Sequence, residues 1–221
     1  MKIFLASAEI DEAEWAGESG LADGLLTTPQ LLADAGAFDD PRGLVQDLCR
    51  VVSGPVVVSV ESVLSDEMYR DGRELARLGD QVVVEVPLVE DGIVAIRRLS
   101  TEGVRVAAGL VYSPAQALLA AKAGASIVTC LLQQLDAEGH HGLQVIEETR
   151  SVFDVGRVEC DVMVASATTS SEFTRAALAG ADSVALRPDA LRALLVHPLT
   201  DRGVDRFLST LGKLPKGRLG A

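Results

Sequence analysis

The sequence predicts an α/β fold, a single closed (β/α)8 barrel (TIM barrel) followed by an additional C-terminal helix. Short apolar segments and amphipathic segments alternate eight times with short connections, as in a parallel sheet with helices between its strands. Two segments, 118–128 and 175–185, repeat one unit made of a helix, an Ala-Gly-Ala stop and a strand. The length of 221 residues also suits one barrel of this kind.

An open, doubly wound parallel sheet is the alternative arrangement of the same elements. No G-x-G-x-x-G sequence follows the first predicted strand, which weakens the dinucleotide-binding form of that alternative. We therefore divide the chain into a barrel over 1–198 and a C-terminal helix with a basic tail over 199–221.

The strands are predicted from short runs rich in valine, leucine and alanine that glycine, proline or charged residues bound. The strongest run is 82–88, where four of seven residues are valine and Pro87 has no N–H to continue the ladder. The eight predicted strands lie at 2–7, 21–27, 55–61, 81–87, 104–111, 126–132, 160–166 and 182–186.

The helices are predicted from apolar periodicity and from residues that begin or end a helix. Asp11 and Ser65 are expected to cap helices, and Pro29 is expected to open one at its first turn. The segment 133–142 is expected to be a loop. The predicted helices lie at 12–18, from 29 onward, and at 43–52, 65–78, 91–99, 115–123, 143–153, 169–179, 188–195 and 204–211.

Composition and charge restrict the class of function. A net charge of -12 and a pI of about 4.7 disfavour nucleic acid and anionic membranes as partners. No apolar run is long enough for a signal peptide or a transmembrane helix, so we expect a cytoplasmic protein. The three cysteines have no metal-binding or redox spacing, and we predict reduced thiols, no metal and no cofactor.

One carboxylate, Glu85, interrupts the valine-rich fourth strand. Burying an ionised carboxylate is costly unless it is paired, protonated or solvated. Catalytic residues of such barrels lie at the carboxyl ends of the strands. Glu85 is therefore a candidate general acid or base. A structural carboxylate, solvated in the barrel mouth or paired with a neighbour such as Arg187, is an equally weighted alternative.

Other polar residues lie at the predicted ends of strands, where they could bind a small polar substrate. Two adjacent histidines, His140 and His141, could form an acid/base or metal-binding lid, although an exposed polar loop is the favoured interpretation. None of the four lysines lies in the middle of a predicted strand, which argues against a Schiff-base lysine inside the barrel. The substrate-binding candidates are Thr27, Thr28, Ser59, Gln134 and Ser166.

Several stretches carry a resemblance to a known family. They are GLLTTP at 24–29, VVEVP at 83–87, VYSPAQALL at 111–119, LDAEG at 135–139 and AS at 165–166. These stretches resemble motifs of the transaldolases, in particular the short fructose-6-phosphate aldolase type, which has G-V-T-T-N-P, V-V-K-V-P and V-Y-x-x-A-Q-x-L-L. The resemblance runs from Met1 to about Phe207. It implies the barrel fold, Schiff-base aldol chemistry and ring-shaped oligomers formed through the terminal helix.

The chain departs from the family pattern at positions that the resemblance assigns to chemistry. Glu85 occupies the position of the Schiff-base lysine, Ala6 that of an aspartate, and Gln134 that of a phosphate-binding arginine. Because glutamate cannot form an imine, Schiff-base chemistry through Glu85 is excluded. Ser166 is the clearest ligand-facing residue that survives. The remaining departures are Thr28, Ser59, Gly109, Leu131 and Thr168.

Two hypotheses of function follow. The first is an atypical transaldolase-like enzyme that acts on a small polar carbonyl or sugar-derived substrate, with Glu85 as general acid/base. The alternative is a catalytically inactive homologue that binds a ligand or a partner protein. An apolar stripe on the last helix predicts a homo-oligomer, although packing on its own barrel would also bury the stripe. The stripe consists of Val204, Phe207, Leu208 and Leu211.

Overall fold

Eight short apolar segments form parallel strands that close into a barrel in the computed structural model, which describes residues 1–211. Each strand pairs with the next, and pairing of the last strand with the first closes the ring, with Lys2 opposite Ser183 and Phe4 opposite Ala185. The predicted (β/α)8 barrel is confirmed, and the open sheet is wrong. The strands are β1 (Lys2–Ala6), β2 (Gly24–Thr27), β3 (Val56–Ser59), β4 (Val82–Pro87), β5 (Val106–Val111), β6 (Ile127–Leu131), β7 (Asp161–Ala165) and β8 (Ser183–Leu186).

Helices connect the strands, and one more helix follows the barrel as predicted. The division of the chain at residue 198 stays a prediction. Most of the basic tail predicted within 199–221 lies outside the described residues. The helices are α1 (Ile10–Glu18), α2 (Pro29–Asp34), α3 (Pro41–Val51), α4 (Ser65–Leu75), α5 (Glu90–Thr101), α6 (Pro114–Ala123), α7 (Leu132–Ala137), α8 (Gly142–Gly156), α9 (Ser170–Leu178), α10 (Pro188–Ala193) and α11 (Pro198–Leu211).

The alternation of side chains along each strand produces two apolar layers. Residues such as Phe4, Val57, Val83 and Met163 point inward and fill the barrel. Their neighbours in sequence point outward and pack with the helices in a larger cluster. An inward-facing polar residue near the carboxyl end of a strand therefore lies above the apolar filling, in the mouth of the barrel.

Several predicted boundaries differ from the structure. The second strand begins at Gly24 rather than at residue 21, and the first helix begins at Ile10, so Asp11 lies in its first turn instead of capping it. Ser65 likewise begins α4 without a side-chain cap. Serine and aspartate are common at N-caps, and both also occur in the first turn, where the helix dipole stabilises an acidic side chain. Sequence alone therefore does not separate the two positions.

Two helical segments were placed incorrectly. Residues 133–137 of the predicted loop 133–142 belong to α7, which begins at Leu132, because Leu132 and Leu135 lie on one face of a helical turn and are both buried. The last helix begins at Pro198, six residues before the predicted start at 204. Proline suits the first turn of a helix, and the ring nitrogen Nδ1 of His197 accepts a hydrogen bond of 3.0 Å from the N–H of Leu199.

The first and last parts of the barrel are joined by side chains as well as by strands. Arg192 of α10 places its guanidinium group 3.9 Å from the centre of the Trp15 ring on α1. The same group lies 2.6 Å from a carboxylate oxygen of Glu12. A cation over an aromatic ring and an ion pair therefore hold α10 against α1 where the ring of strands closes.

The terminal helix α11 has no buried residue, and its apolar side chains Leu199, Val204, Phe207 and Leu208 are between 49% and 63% exposed. The described part of the chain contains no helix that is long and apolar enough to span a membrane.

Candidate active site

A cavity of about 300 Å³ opens at the carboxyl ends of the strands. Inward-facing residues of adjacent strands meet there, because β3, β4, β5 and β6 lie side by side in the barrel. Most of its wall is apolar, and its polar members come from four strand ends. The lining residues are Leu26, Thr28, Pro29, Ser59, Val60, Glu85, Pro87, Gly109, Leu110, Thr129, Leu131 and Ala165.

Glu85 is fixed in this cavity by its strand and by one hydroxyl group. Ser59 lies directly opposite Glu85 in the pairing of β3 with β4, and its Oγ donates a hydrogen bond of 2.8 Å to Oε2 of Glu85. The backbone N–H of Val60 donates to the backbone oxygen of Glu85 at 3.0 Å. The carboxyl group therefore has a defined position beside the cavity.

The electrostatic surroundings favour the neutral form of Glu85. Burial raises the pKa of its carboxyl group above the usual value, and the hydroxyl groups of Ser59 and Thr129 partly oppose that rise. Within residues 1–211, no lysine, arginine or histidine lines the cavity. Arg187 is exposed and forms no ion pair with Glu85 among the described contacts, so the structural pairing considered from the sequence is not observed.

Gly109 leaves the space that the carboxyl group of Glu85 occupies. A Cβ atom at position 109 would lie 3.0 Å from Cδ, 3.1 Å from Cγ and 3.2 Å from Oε1 of Glu85. These distances are shorter than ordinary van der Waals contacts between such atoms. A side chain at position 109 would therefore displace the carboxyl group, so a glycine here accommodates a glutamate on the neighbouring strand.

Thr129 is a site residue that the sequence reasoning missed. It lies on β6, is 3% exposed and lines the cavity. Its hydroxyl is near enough to Glu85 to affect the pKa of the carboxyl group, yet Oγ1 forms no hydrogen bond of normal geometry within the part of the chain that the structure describes. The available signal was its position in the predicted strand 126–132, two residues before Leu131 on the same face.

The substrate-binding candidates separate into two groups. Ser59 and Thr28 line the cavity with Glu85, and Thr28 also caps α2 by accepting a hydrogen bond from the N–H of Leu31. Thr27 is fully buried, and its hydroxyl donates to the backbone oxygen of Val57 at 3.3 Å. It neighbours the inward-facing Leu26 and so faces the helix layer instead.

Gln134 and Ser166 lie outside this lining. Gln134 accepts a hydrogen bond from the hydroxyl of Tyr112 in a second cavity of about 430 Å³, which His140 also lines. Ser166 is exposed directly after β7 and has a backbone φ of +71°. Of the six candidates, Thr28, Ser59 and Glu85 thus lie together in the cavity, whereas Thr27, Gln134 and Ser166 lie outside its lining.

Leu110 forms the rim of the cavity in an unusual conformation. Its φ is +58°, a left-handed value that is unfavourable for a residue with a branched side chain, and its side chain is 47% exposed. The pairing of β5 with β6 is irregular between Ala108 and Val111, so Leu110 lies in a bulge. The bulge places an apolar side chain at the entrance instead of in the core.

Other reactive side chains lie apart from Glu85. Cys130 is buried on the outer face of β6, and burial raises its pKa to about 12, which keeps the thiol protonated. His140 and His141 are exposed. From Met1 to Leu211, no cluster of three or more histidine, cysteine, aspartate or glutamate residues is arranged to hold a metal ion.

A closed (β/α)8 barrel with a cavity at the carboxyl ends of its strands defines the architecture of the barrel enzymes. Residues 28–215 match the model of the family Transaldolase/Fructose-6-phosphate aldolase. The chain belongs to this family, which confirms the resemblance read from the sequence.

Full-length relatives agree with this assignment. A protein named "Probable transaldolase" from Thermodesulfovibrio yellowstonii is 37% identical over 216 residues, which cover 98% of this chain and 100% of the relative. A second of that name, from Thermoplasma volcanium, is 39% identical over 220 residues, or 99% of each chain. A third, from Bdellovibrio bacteriovorus, is 38% identical over 216 residues, or 98% and 100% of the two chains.

Proposed function

We propose that the protein is an atypical transaldolase-family enzyme that acts on a small polar carbonyl or sugar-derived substrate, with Glu85 as general acid/base and without a Schiff base. The observation that carries the proposal is the carboxyl group of Glu85, which faces the cavity with a serine hydroxyl beside it. A carboxyl group whose pKa is raised by burial exchanges protons closer to neutral pH than an exposed one.

The position of Glu85 supports chemistry on a carbonyl compound without an imine. In a retro-aldol cleavage, the ionised carboxyl group would take the proton of a substrate hydroxyl, and the adjacent C–C bond would break. The hydroxyl carbon becomes a carbonyl, and the enolate that leaves regains the proton from Glu85. Proton abstraction next to a carbonyl, elimination and isomerisation need the same carboxyl group, so the proposal extends to these reactions.

The decisive experiment compares the wild type with Glu85→Gln on a panel of small hydroxylated aldehydes and ketones. We expect turnover to fall at least about 100-fold, because the amide cannot accept and return a proton. Circular dichroism should show that the fold is retained. Glu61→Gln removes an exposed carboxyl group that follows β3 outside the cavity, and this control should keep wild-type turnover. Equal turnover in the wild type and Glu85→Gln would overturn the proposal.

The absence of a Schiff base has its own test. Lys2 lies at the opposite end of the barrel, where it pairs with Asp161, and Lys122 lies in α6. Lys213 and Lys216 are outside the described residues. Borohydride reduction in the presence of substrate should add no mass to the protein. A reduced adduct on any lysine would show that the reaction passes through an imine.

A second candidate function is a catalytically inactive homologue that binds a ligand or a partner protein. It is favoured by the polar residues at the rim, which hydrogen-bond to one another. Gln133 Nε2 donates to Thr168 Oγ1 at 2.8 Å, and Tyr112 pairs with Gln134. Such pairs leave fewer groups for a substrate. This candidate predicts no turnover on the whole panel and equal ligand binding by the wild type and Glu85→Gln.

We also propose that the protein forms a homo-oligomer through α11, whose apolar side chains are exposed. Light scattering should give a mass above that of one 23.2 kDa chain. Introducing a charge with Phe207→Glu should lower that mass, whereas Ser209→Glu, at an exposed position on the opposite side of the same helix, should not. A monomeric wild type would overturn this part of the proposal.

A further inference from the structure

Gly109 and Leu110 are consecutive residues of β5 that both line the cavity. In a regular strand, neighbouring side chains point to opposite faces, so one of the two should point towards the helices. The bulge removes this alternation, because β5 contains one residue more between Ala108 and Val111 than the paired segment of β6. Ala108 and Val111 both belong to the outer apolar cluster. The two residues between them therefore both face the mouth of the barrel.

The backbone of Leu110 is strained, and burial does not compensate for the strain. Its φ of +58° lies in the left-handed region, yet its side chain is 47% exposed and so gains little from packing. Among residues 1–211, Arg157 and Ser166 are the other residues besides glycine with a positive φ. Arg157 has a common structural role as the left-handed C-cap of α8. Strain without such a role is often retained at functional sites.

The side chain of Leu110 lies at the opening through which water reaches Glu85. Protein atoms surround the carboxyl group of Glu85, but the residue is only partly buried, so its remaining accessible surface faces the mouth of the cavity. Gly109, the neighbour of Leu110, lies against this group, since a Cβ atom at position 109 would be 3.0 Å from Cδ of Glu85. An apolar side chain at the next position therefore displaces water from the surroundings of the carboxyl group.

Within the described part of the chain, no other charged group faces Glu85 in the cavity. The remaining lining residues come from β2, β3, β4, β5, β6, β7 and the start of α2, and none has an ionisable side chain. The hydroxyl groups of Ser59 and Thr129 face the carboxyl group and favour its ionised form, whereas burial favours its neutral form. Access of water through the mouth is therefore the factor that can change this balance most.

We infer that Leu110 is a positioning residue whose left-handed backbone holds an apolar side chain over the mouth of the cavity, where it excludes water from the carboxyl group of Glu85. The inference deepens the proposed function and rests on it in one respect, because shielding matters for catalysis only if Glu85 transfers protons. The exclusion of water itself is measured from the protonation of Glu85 without any substrate.

Carbon-13 NMR of the full-length protein with labelled glutamate carboxyl groups follows this protonation directly. The resonance of Glu85 is the one that disappears in Glu85→Gln. Leu110→Gly removes the side chain and suits the left-handed backbone, so the fold should be retained. We expect the midpoint of the Glu85 titration to fall by at least about one pH unit, because water then stabilises the ionised form. An unchanged midpoint would overturn the inference.

A conservative variant separates the apolar side chain from the backbone of the bulge. Leu110→Met keeps an apolar side chain of similar size, so Glu85 should titrate within about 0.3 pH unit of the wild type. If Leu110→Met lowered the midpoint as much as Leu110→Gly does, the apolar side chain would not be the cause, and the inference would be wrong.

Val111→Ala is the matched control for a change in β5. Val111 is the next residue along the strand, but it is fully buried in the outer apolar cluster. Its truncation should lower the midpoint of thermal unfolding and leave the Glu85 titration unchanged. Leu110→Gly should instead keep or raise the thermal midpoint, because glycine relieves the left-handed strain. A larger thermal loss in Leu110→Gly than in Val111→Ala would show that Leu110 belongs to the core and would overturn the inference.

The titration and the turnover experiments fail independently. If Leu110→Gly lowers the titration midpoint while Glu85→Gln leaves turnover unchanged, the inference stands and the proposed acid/base role of Glu85 fails. If Glu85→Gln abolishes turnover while Glu85 titrates in Leu110→Gly as it does in the wild type, the proposed function stands and the inference fails.

Discussion

The two ends of the barrel differ in whether their charged side chains form ion pairs. At the amino ends of the strands, Lys2 lies 3.2 Å from Asp161, and Arg150 lies 2.9 Å from both Asp154 and Asp182. At the carboxyl ends, Glu85 has a hydroxyl neighbour, and no described residue supplies a cation to its cavity. Paired charges stabilise a fold, whereas a partly buried carboxyl group without an ion pair does not. The contrast therefore separates an end that supports stability from an end suited to chemistry.

Removing the central cation of the amino-terminal end should have the largest effect on stability. Arg150→Met keeps an apolar stem but leaves Asp182 without its ion pair. We expect the free energy of unfolding to fall by about 1–2 kcal/mol, less than for a fully buried pair, because water reaches both side chains. Urea unfolding measures the change. Lys2→Met breaks a more exposed ion pair and should lower the free energy of unfolding by about 0.5 kcal/mol or less. Equal losses in the two variants would contradict this ranking.

At the other end, removing the charge of Glu85 should have an effect that depends on pH. Burial raises the pKa of the folded state, so protonation stabilises the fold, and this contribution is lost as pH rises from the unfolded value of about 4.3 through the raised value. Glu85→Gln stays neutral throughout. The wild type should therefore lose stability relative to Glu85→Gln with rising pH, as measured by urea unfolding at a series of pH values. A constant difference between the two proteins would show that burial does not raise this pKa.

A smaller change should follow from filling the space beside Glu85. Gly109→Ala places a methyl group against the carboxyl group, and we expect a loss of about 1 kcal/mol in unfolding free energy. Gly203→Ala is the control, since a Cβ atom at that position of α11 meets no atom within 4 Å and alanine favours a helix. Thermal unfolding should show a lower midpoint temperature for Gly109→Ala than for the wild type, and a slightly higher one for Gly203→Ala. The same sign in both would mean that Glu85 is not confined by position 109.

Much of the fold was predictable because its signals are local. Runs of valine at 55–61 and 81–87 predict buried parallel strands, and glycines such as Gly103 and Gly124 with positive φ end the helices before them. The predictions that failed depend on packing. The helix α7 follows from the burial of two leucines, and the early start of α11 follows from a histidine cap, neither of which periodicity alone reveals.

The candidate site was predictable only in part. Glu85 is recognisable in the sequence because an ionisable side chain is unexpected within a run of valines. Thr129 does not stand out, because threonine is common in strands and only closure of the barrel brings it beside Glu85. Thr27 and Thr28 are adjacent and so face opposite sides, but assigning the faces requires the exact register of β2. The roles of the proposed site residues stay predictions.

The contact between Trp15 and Arg192 also provides a means of observing the fold. Trp15 is the single tryptophan of the chain, and it lies against α10, where the last part of the barrel meets the first. Its fluorescence therefore reports on one defined junction instead of averaging over several sites. In a stopped-flow refolding experiment, the emission of this residue would mark the moment at which the ring closes.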